Sequence, residues 1–120
     1  MNDPQTHRLL EVPAAVEDHD TARTHLAKAC DHRFPDGCIV LGIARVKGQL
    51  GAEVDRNAAA ELFDRACRMG HPAGCFEQGV LRLDVKDDVS AFELFQRACA
   101  GGEARGCHNA ELMKRDGRGQ

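Results

Sequence analysis

The six cysteines of this chain form three pairs, and the two members of every pair are eight positions apart. The pairs are Cys30 with Cys38, Cys67 with Cys75, and Cys99 with Cys107. The sequence around each pair recurs, as LAKACDHRFPDGC, LFDRACRMGHPAGC and LFQRACAGGEARGC. An internal repeat of this kind predicts a stacked architecture, in which each unit buries its apolar face against the next unit.

Each repeat has the length of a helical hairpin. The first cysteines of successive pairs lie 37 and 32 residues apart, which fits two short helices and two turns per unit. In the segment that ends at the first cysteine of a pair, apolar residues recur at i, i+3, i+4, i+7 and i+8. This spacing places them on one helix face. They are Ala59, Leu62, Phe63, Ala66 and Cys67 in the second copy, and Ala91, Leu94, Phe95, Ala98 and Cys99 in the third. We therefore predict an all-α fold, an α/α superhelical solenoid of about three helical hairpins.

Glycine and proline indicate the helix ends. Gly70 and the pair Gly101-Gly102 follow the first helix of the second and third copies, as a left-handed residue does at a helix end. Arg33 stands near this point in the first copy, so the end of that helix is less sharply defined. Pro35 and Pro72 then stand where the next helix begins, a position that favours proline.

A second pair of glycines lies four residues after the second cysteine. Gly42 and Gly79 are expected on the same helix face as that cysteine, where a missing side chain lets two helices approach closely. Glu111 takes this position in the third copy. We interpret Glu111 as the solvent-facing end of the stack rather than as a general base.

At 120 residues the chain is expected to form one small domain. We predict that residues 20–116 form the repeat domain, with repeats at about 20–50, 55–83 and 87–116. Residues 1–19 contain two prolines and no strong period, and are interpreted as an acidic, partly ordered leader. Residues 117–120 are expected to fray.

The charge balance excludes some classes of partner. The net charge is −3 with both signs mixed, so we expect neither nucleic acid nor an anionic membrane as a partner. No apolar run approaches the length of a membrane span, and we expect no membrane insertion. The cysteine pairs favour a periplasmic or secreted protein, whereas the lack of a visible export signal favours the cytoplasm.

The cysteines leave three alternatives open. Local disulfides are favoured because the same short spacing recurs in each copy and a turn between the cysteines can bring them together. Reduced thiols buried as small apolar groups are a second reading. Metal or haem ligation with His32, His71 and His108 is a third, although no C-x-x-C is present and the histidines differ in offset. His25 is expected to be a hydrogen-bonded or partly exposed helix residue.

Candidate catalytic residues are few. Ser90 is the single serine, and it is not followed by the lysine of the S-x-x-K motif of serine β-lactamases. No zinc-protease motif, phosphate-binding loop or nucleophile elbow occurs. The acidic pair Asp87-Asp88 fits helix capping better than catalysis. We therefore predict a protein without catalytic residues, cofactor or metal.

The motif A-x-x-L-F-x-x-A-C-x-x-G-x-x-x-G-C, which spans residues 59–75, resembles the Sel1-like repeat family and its cysteine-rich bacterial branch. The resemblance covers residues 20–116. It implies tetratricopeptide-like hairpins stacked into a right-handed superhelix, each hairpin tied by a disulfide. It also implies a scaffold or adaptor, which we expect to bind a peptide or protein on its concave side. Because three repeats leave open ends on the stack, end-to-end self-association is a further expectation. Weak β-lactam binding or hydrolysis is an alternative that rests on family analogy, and haem or metal binding through reduced Cys and His is a further one.

Overall fold

The structure is a computed structural model that describes residues 18–120, and within that range it contains helices and turns. The predicted leader, residues 1–19, therefore lies almost wholly outside the described residues. The helices are α1 (His19–Asp31), α2 (Pro35–Lys47), α3 (Arg56–Arg68), α4 (Pro72–Asp84), α5 (Asp88–Ala100) and α6 (Ala104–Arg115). Each helix packs against the helices next to it in the sequence, which gives a stack of three hairpins. The predicted all-α solenoid is confirmed.

Side-chain caps begin the first helix of every hairpin. The carboxylates of Asp18, Asp55 and Asp87 accept hydrogen bonds from backbone N–H groups in the first turns of α1, α3 and α5. These bonds satisfy amide groups that have no partner inside the helix. The second helices of the first two hairpins, α2 and α4, start with Pro35 and Pro72. Proline fits there because its fixed φ is already helical.

The turn inside each hairpin contains one left-handed residue at the same position. This residue is Gly70 with φ 89° in the second hairpin and Gly102 with φ 100° in the third. In the first hairpin it is Arg33, with φ 70°. A side chain in this conformation costs about 1–2 kcal/mol. The geometry of the hairpin therefore determines the backbone here, and the first hairpin adopts it without a glycine.

The contact between successive hairpins is a phenylalanine ring seated on a glycine. A Cβ atom built on Gly42 would lie 2.5 Å from Phe63 Cε1, and one built on Gly79 would lie 2.7 Å from Phe95 Cε1. Both rings are almost fully buried, with 1% and 0% of their surface exposed. The second helix of one hairpin thus receives the ring of the next hairpin. Exposed Glu111 replaces this glycine in α6, the last helix of the stack.

The cysteine pairs join the two helices of each hairpin. The structure connects Cys30 to Cys38, Cys67 to Cys75 and Cys99 to Cys107, with Cα–Cα distances of 4.8, 4.6 and 4.5 Å. Each second cysteine follows a glycine that brings the helices together. A Cβ on Gly74 would lie 2.7 Å from Ala66 Cβ and 2.8 Å from the backbone nitrogen of Cys67.

Residues 117–120, which were expected to fray, lie against α5 and α6. Gly117, with φ 68°, ends α6 and turns the chain back. Arg118 then donates to both carboxylate oxygens of Asp88, at 3.1 and 3.0 Å, and this pairing holds the pKa of Asp88 below its usual range. The amide of Gln120 donates to the carbonyl oxygen of Met113.

Replacing Gly79 by alanine is expected to lower the free energy of unfolding by about 1–3 kcal/mol, because the added methyl group overlaps the Phe95 ring. Chemical denaturation measures the change. The matched control is Glu111→Ala, which changes the equivalent but exposed position by less than about 0.5 kcal/mol. Equal stability of Gly79→Ala and the unmodified protein would contradict the seating of Phe95 on Gly79.

We expect the three local disulfides to form in protein isolated without reductant, which leaves no thiol to react after denaturation. Replacing Cys67 and Cys75 together by alanine should then lower the free energy of unfolding by about 2.5 kcal/mol, the loop-closure value for this short loop. In strong reductant, the unmodified protein and the variant should converge in stability. Six reactive thiols, or a difference that persists in reductant, would contradict this expectation.

Candidate functional site

A long groove crosses the stack from α1 to α5. It consists of three adjoining cavities, which we call the N-terminal, middle and C-terminal cavities, with volumes of about 370, 430 and 370 Å³. Glu61 lines the first two cavities, and Gln78 and Arg82 line the last two. Because they share walls, we treat the three cavities as one surface, the repeat groove.

The lining of the repeat groove recurs from one hairpin to the next. The N-terminal cavity lies against α1, α2 and α3, and the C-terminal cavity lies between α4 and α5. Six positions of the repeat contribute to both cavities, each counted from its own cysteine pair, and four of them keep the same residue type. These four are occupied by Arg45 and Arg82, Glu61 and Glu93, Leu62 and Leu94, and Arg65 and Arg97. The repeat therefore places two cations, one anion and one leucine in each unit of the groove.

In the N-terminal cavity the arginines are held by neighbouring groups. Arg65 donates to the carboxylate of Asp31 at 2.9 Å, and Arg45 donates to the backbone carbonyl of Glu53 at 3.1 Å. Arg23, from α1, forms an ion pair with Asp20. Two of the three cations in this cavity are thus neutralised by carboxylates.

The C-terminal cavity differs in this respect. In the part of the chain that the structure describes, Arg82 and Arg97 form neither an ion pair nor a side-chain hydrogen bond. Asp87, in the same cavity, accepts the backbone N–H of Ser90 as the cap of α5. Two arginines therefore line one cavity with guanidinium donors that are available to a ligand.

Gln78 is the buried polar residue of the groove. Its side chain is 9% exposed, and its Nε2 donates to Asp64 at 3.3 Å. Among residues 18–120, its Oε1 is buried and accepts no hydrogen bond. The equivalent residues are Leu41 in the first hairpin and Ala110 in the third. An unpaired buried acceptor costs about 1–3 kcal/mol, so this hairpin replaces an apolar residue with a destabilising one.

The catalytic and metal-ligand candidates considered from the sequence lie elsewhere, with the exception of Asp87 and Ser90, which line the C-terminal cavity. None of the six cysteines lines the three cavities. His25, His32 and His108 are exposed, and the Nε2 of His71 lies 3.0 Å from Asp36. Across the described residues no three His, Cys, Asp or Glu side chains come together as a metal site would require. The structure thus does not gather the histidines around the cysteines.

Sequence reasoning missed Arg45, Arg82 and Gln78, although the repeat alignment contains their signal. Seven residues after the second cysteine the three copies have Arg45, Arg82 and Lys114, a basic residue each time. Gln78 stands at a position that is apolar in the other two copies. The signal could have been found by comparing the second helices position by position, in the same way as the first helices.

A second charged cluster lies where α4 meets α6, outside the repeat groove. The guanidinium of Arg105 stacks over the ring of Phe76, 4.3 Å from its centre, and donates to Glu103 at 2.7 Å. Burial raises the pKa of Glu77, and hydrogen bonds from Arg105 lower that of Glu103. These groups satisfy one another, as expected of a structural contact between hairpins.

The helices of the stack are short, and none of those described is long and apolar enough to cross a membrane. A family model described as Sel1 repeat matches residues 35–71 and 74–103. The chain belongs to the Sel1 repeat family. Each matched Sel1 segment includes the second helix of one hairpin and the first helix of the next, the two helices between which a seated phenylalanine lies.

The relatives of this Sel1 repeat chain come from different organisms. Cytochrome c oxidase assembly factor 7A of Xenopus laevis is 38% identical over 58 residues, which are 48% of this chain and 25% of that protein. Cytochrome c oxidase assembly factor 7 of Xenopus tropicalis is 37% identical over 54 residues, 45% of this chain and 23% of that protein. The chain therefore aligns with about a quarter of the length of these curated relatives.

A solved structure shares the fold. The crystal structure of a Sel1 repeat protein from Oxalobacter formigenes matches with a TM-score of 0.70 and 19% sequence identity. The match covers 80% of this chain and 74% of that one. The Sel1 resemblance read from the cysteine motif is thus confirmed, and Sel1 repeats are generally scaffolds for protein interactions.

Replacing Gln78 by leucine, the residue of the first hairpin, is expected to raise the free energy of unfolding by about 1 kcal/mol, because the unpaired acceptor is removed. Chemical denaturation again gives the change. The control is Asn109→Leu. Asn109 is also a neutral amide residue, and it lies partly buried on α6. Its amide is not an unpaired buried group. A loss of stability in Gln78→Leu would show that the hydrogen bond from Gln78 to Asp64 outweighs the unpaired acceptor, and would contradict the assignment of Gln78 as a destabilising residue.

Proposed function

We propose that this chain is a non-enzymatic adaptor that binds a protein partner along the repeat groove. The observation that carries the proposal is the continuity of the groove, which crosses five helices and presents the same charged positions in two successive units. A segment of a partner protein in extended conformation suits a groove of this length. Pairing of polar groups along its course would give specificity.

The kind of partner is suggested by the named relatives. The Xenopus proteins are called assembly factors of cytochrome c oxidase, an enzyme of several components. We propose by extension that this chain holds a protein during the assembly of a larger complex. The matched region is about a quarter of those relatives, so the proposal concerns the type of role and leaves the particular complex open.

Site-specific photo-crosslinking tests the adaptor function. The photoreactive residue benzoylphenylalanine replaces Glu93, which is exposed in the groove, or Arg115, which is exposed at the end of α6 outside it. In an extract of the source organism, the groove position should form an adduct with one defined protein, and the outside position should not. The partner, purified, should then bind the unmodified chain with a measurable Kd.

The opposite results are equally clear. Absence of a protein adduct at position 93, or adducts of equal yield at both positions, would argue against binding along the groove. If the purified partner does not bind the unmodified chain, the adduct would show only that the two proteins came close by chance.

A further inference from the structure

We propose that the C-terminal cavity of the repeat groove recognises a single acidic side chain within an extended peptide. Arg82 and Arg97 pair with its carboxylate, and Gln78 accepts a backbone N–H of the same peptide. This inference rests on the adaptor function proposed above. It adds the chemical class of the ligand and the residues that bind it.

In the described part of the chain, the two arginines of this cavity have no carboxylate partner, which favours an anionic ligand. Arg82 on α4 and Arg97 on α5 line one cavity from facing helices, and within the described residues neither has a carboxylate partner. The equivalent Arg65 is neutralised by Asp31, so the arginines of the first unit are already occupied in part. A carboxylate between two guanidinium groups receives parallel charge-assisted hydrogen bonds. The C-terminal cavity therefore offers unpaired guanidinium donors to an anion, although Asp87 and Glu93 also line it.

The side chain of Gln78 favours a peptide ligand independently of charge. Gln78 precedes Arg82 by four residues, which places both side chains on one face of α4. Its nine-tenths buried side chain lines this cavity and has an acceptor, Oε1, without a partner among the described residues. This oxygen is closed to solvent in the free chain, so the side chain turns toward the cavity when a peptide backbone supplies the N–H donor that it lacks. The carboxylate of the ligand thus binds Arg82 and its N–H binds Gln78, one helical turn away on α4.

The remaining charges restrict the ligand to one acidic residue. Glu93 and Asp87 line the same cavity, and they would repel a run of carboxylates or a phosphate backbone. The acid is placed on an internal residue because the groove continues from this cavity into the middle cavity, through Gln78 and Arg82. A separate cavity of about 330 Å³, which shares no lining residue with the C-terminal cavity, lies between α5 and α6.

Selection from a random peptide library tests the inference. Peptides displayed on phage are selected on the unmodified chain, and those retained should share one Asp or Glu flanked by uncharged residues. The best peptide, synthesised with both ends blocked, is then measured by fluorescence anisotropy. Arg82→Gln and Arg97→Gln should each weaken its binding on the order of tenfold or more, as loss of a charge-assisted pair does. Arg115→Gln, outside the groove, is the matched control and should leave Kd unchanged.

Two further variants separate the parts of the proposal. Gln78→Leu should weaken binding while the fold is retained, since circular dichroism and stability are measured in parallel. Replacing the acidic residue of the peptide by glutamine should weaken binding to the unmodified chain and should lose part of this effect in Arg82→Gln, where only Arg97 still pairs with the carboxylate. This loss of coupling identifies Arg82 as a partner of the carboxylate.

Several outcomes would overturn the inference. Selected peptides without an acidic preference, or equal Kd values for Arg82→Gln and the unmodified chain, would remove the carboxylate site and leave the adaptor function standing. If peptide binding requires a free terminal carboxylate, the group bound by the cavity is a chain end and not an internal side chain. If no peptide is selected and no protein crosslinks at position 93, both the inference and the adaptor function fail.

Discussion

The seating of a phenylalanine ring on a glycine holds the hairpins together, and the rest of the structure depends on it. Phe63 lies on Gly42 and Phe95 lies on Gly79, each ring coming from the hairpin that follows the glycine. The ring fills the space that a side chain on the glycine would occupy, so the two helices approach more closely than they could with any other residue there. Since the same contact recurs, the hairpins stack in one orientation, and equivalent side chains come to lie along one groove.

Two kinds of connection share the work of stabilising the stack. Within a hairpin the cysteine pair ties the end of one helix to the start of the next, beside a glycine such as Gly74 that admits close approach. Between hairpins the contact is apolar packing. The buried aliphatic and aromatic groups are few, because the chain has only five phenylalanines and no tryptophan. A small core of this kind gains stability from local covalent constraints. Glu111 replaces the glycine in the last helix, where the described stack ends without a further ring.

In the proposed function, the repeat generates the binding surface and one departure from the repeat makes that surface selective. Arg45 and Arg82 occupy the same position of successive units, so stacking alone lines them up. Gln78 breaks the pattern, because the equivalent positions hold leucine and alanine. A buried acceptor without a partner reduces stability, and such a residue is understandable where a ligand supplies the missing donor. Stability and recognition therefore oppose each other at this one position.

The sequence by itself determined the helices, the hairpins and the Sel1 repeat. The spacing of Ala59, Phe63 and Cys67 follows from the pitch of a helix, and glycine and proline end and begin helices through local backbone preferences. These signals are local, so they can be read without knowing the fold. The contact of Arg118 with Asp88 has no such local signal, because the two residues lie thirty positions apart in the sequence.

Only the tertiary structure decided which charged residues face one another. Arg82 and Arg97 belong to different helices, and no helical period relates them. Whether an arginine is paired, as Arg65 is with Asp31, or left available depends on distances between elements that lie far apart in the sequence. The same holds for Gln78, since burial is a property of the packed stack. The physical reason is that helix formation is governed by neighbouring residues, whereas desolvation and ion pairing are governed by neighbours in space.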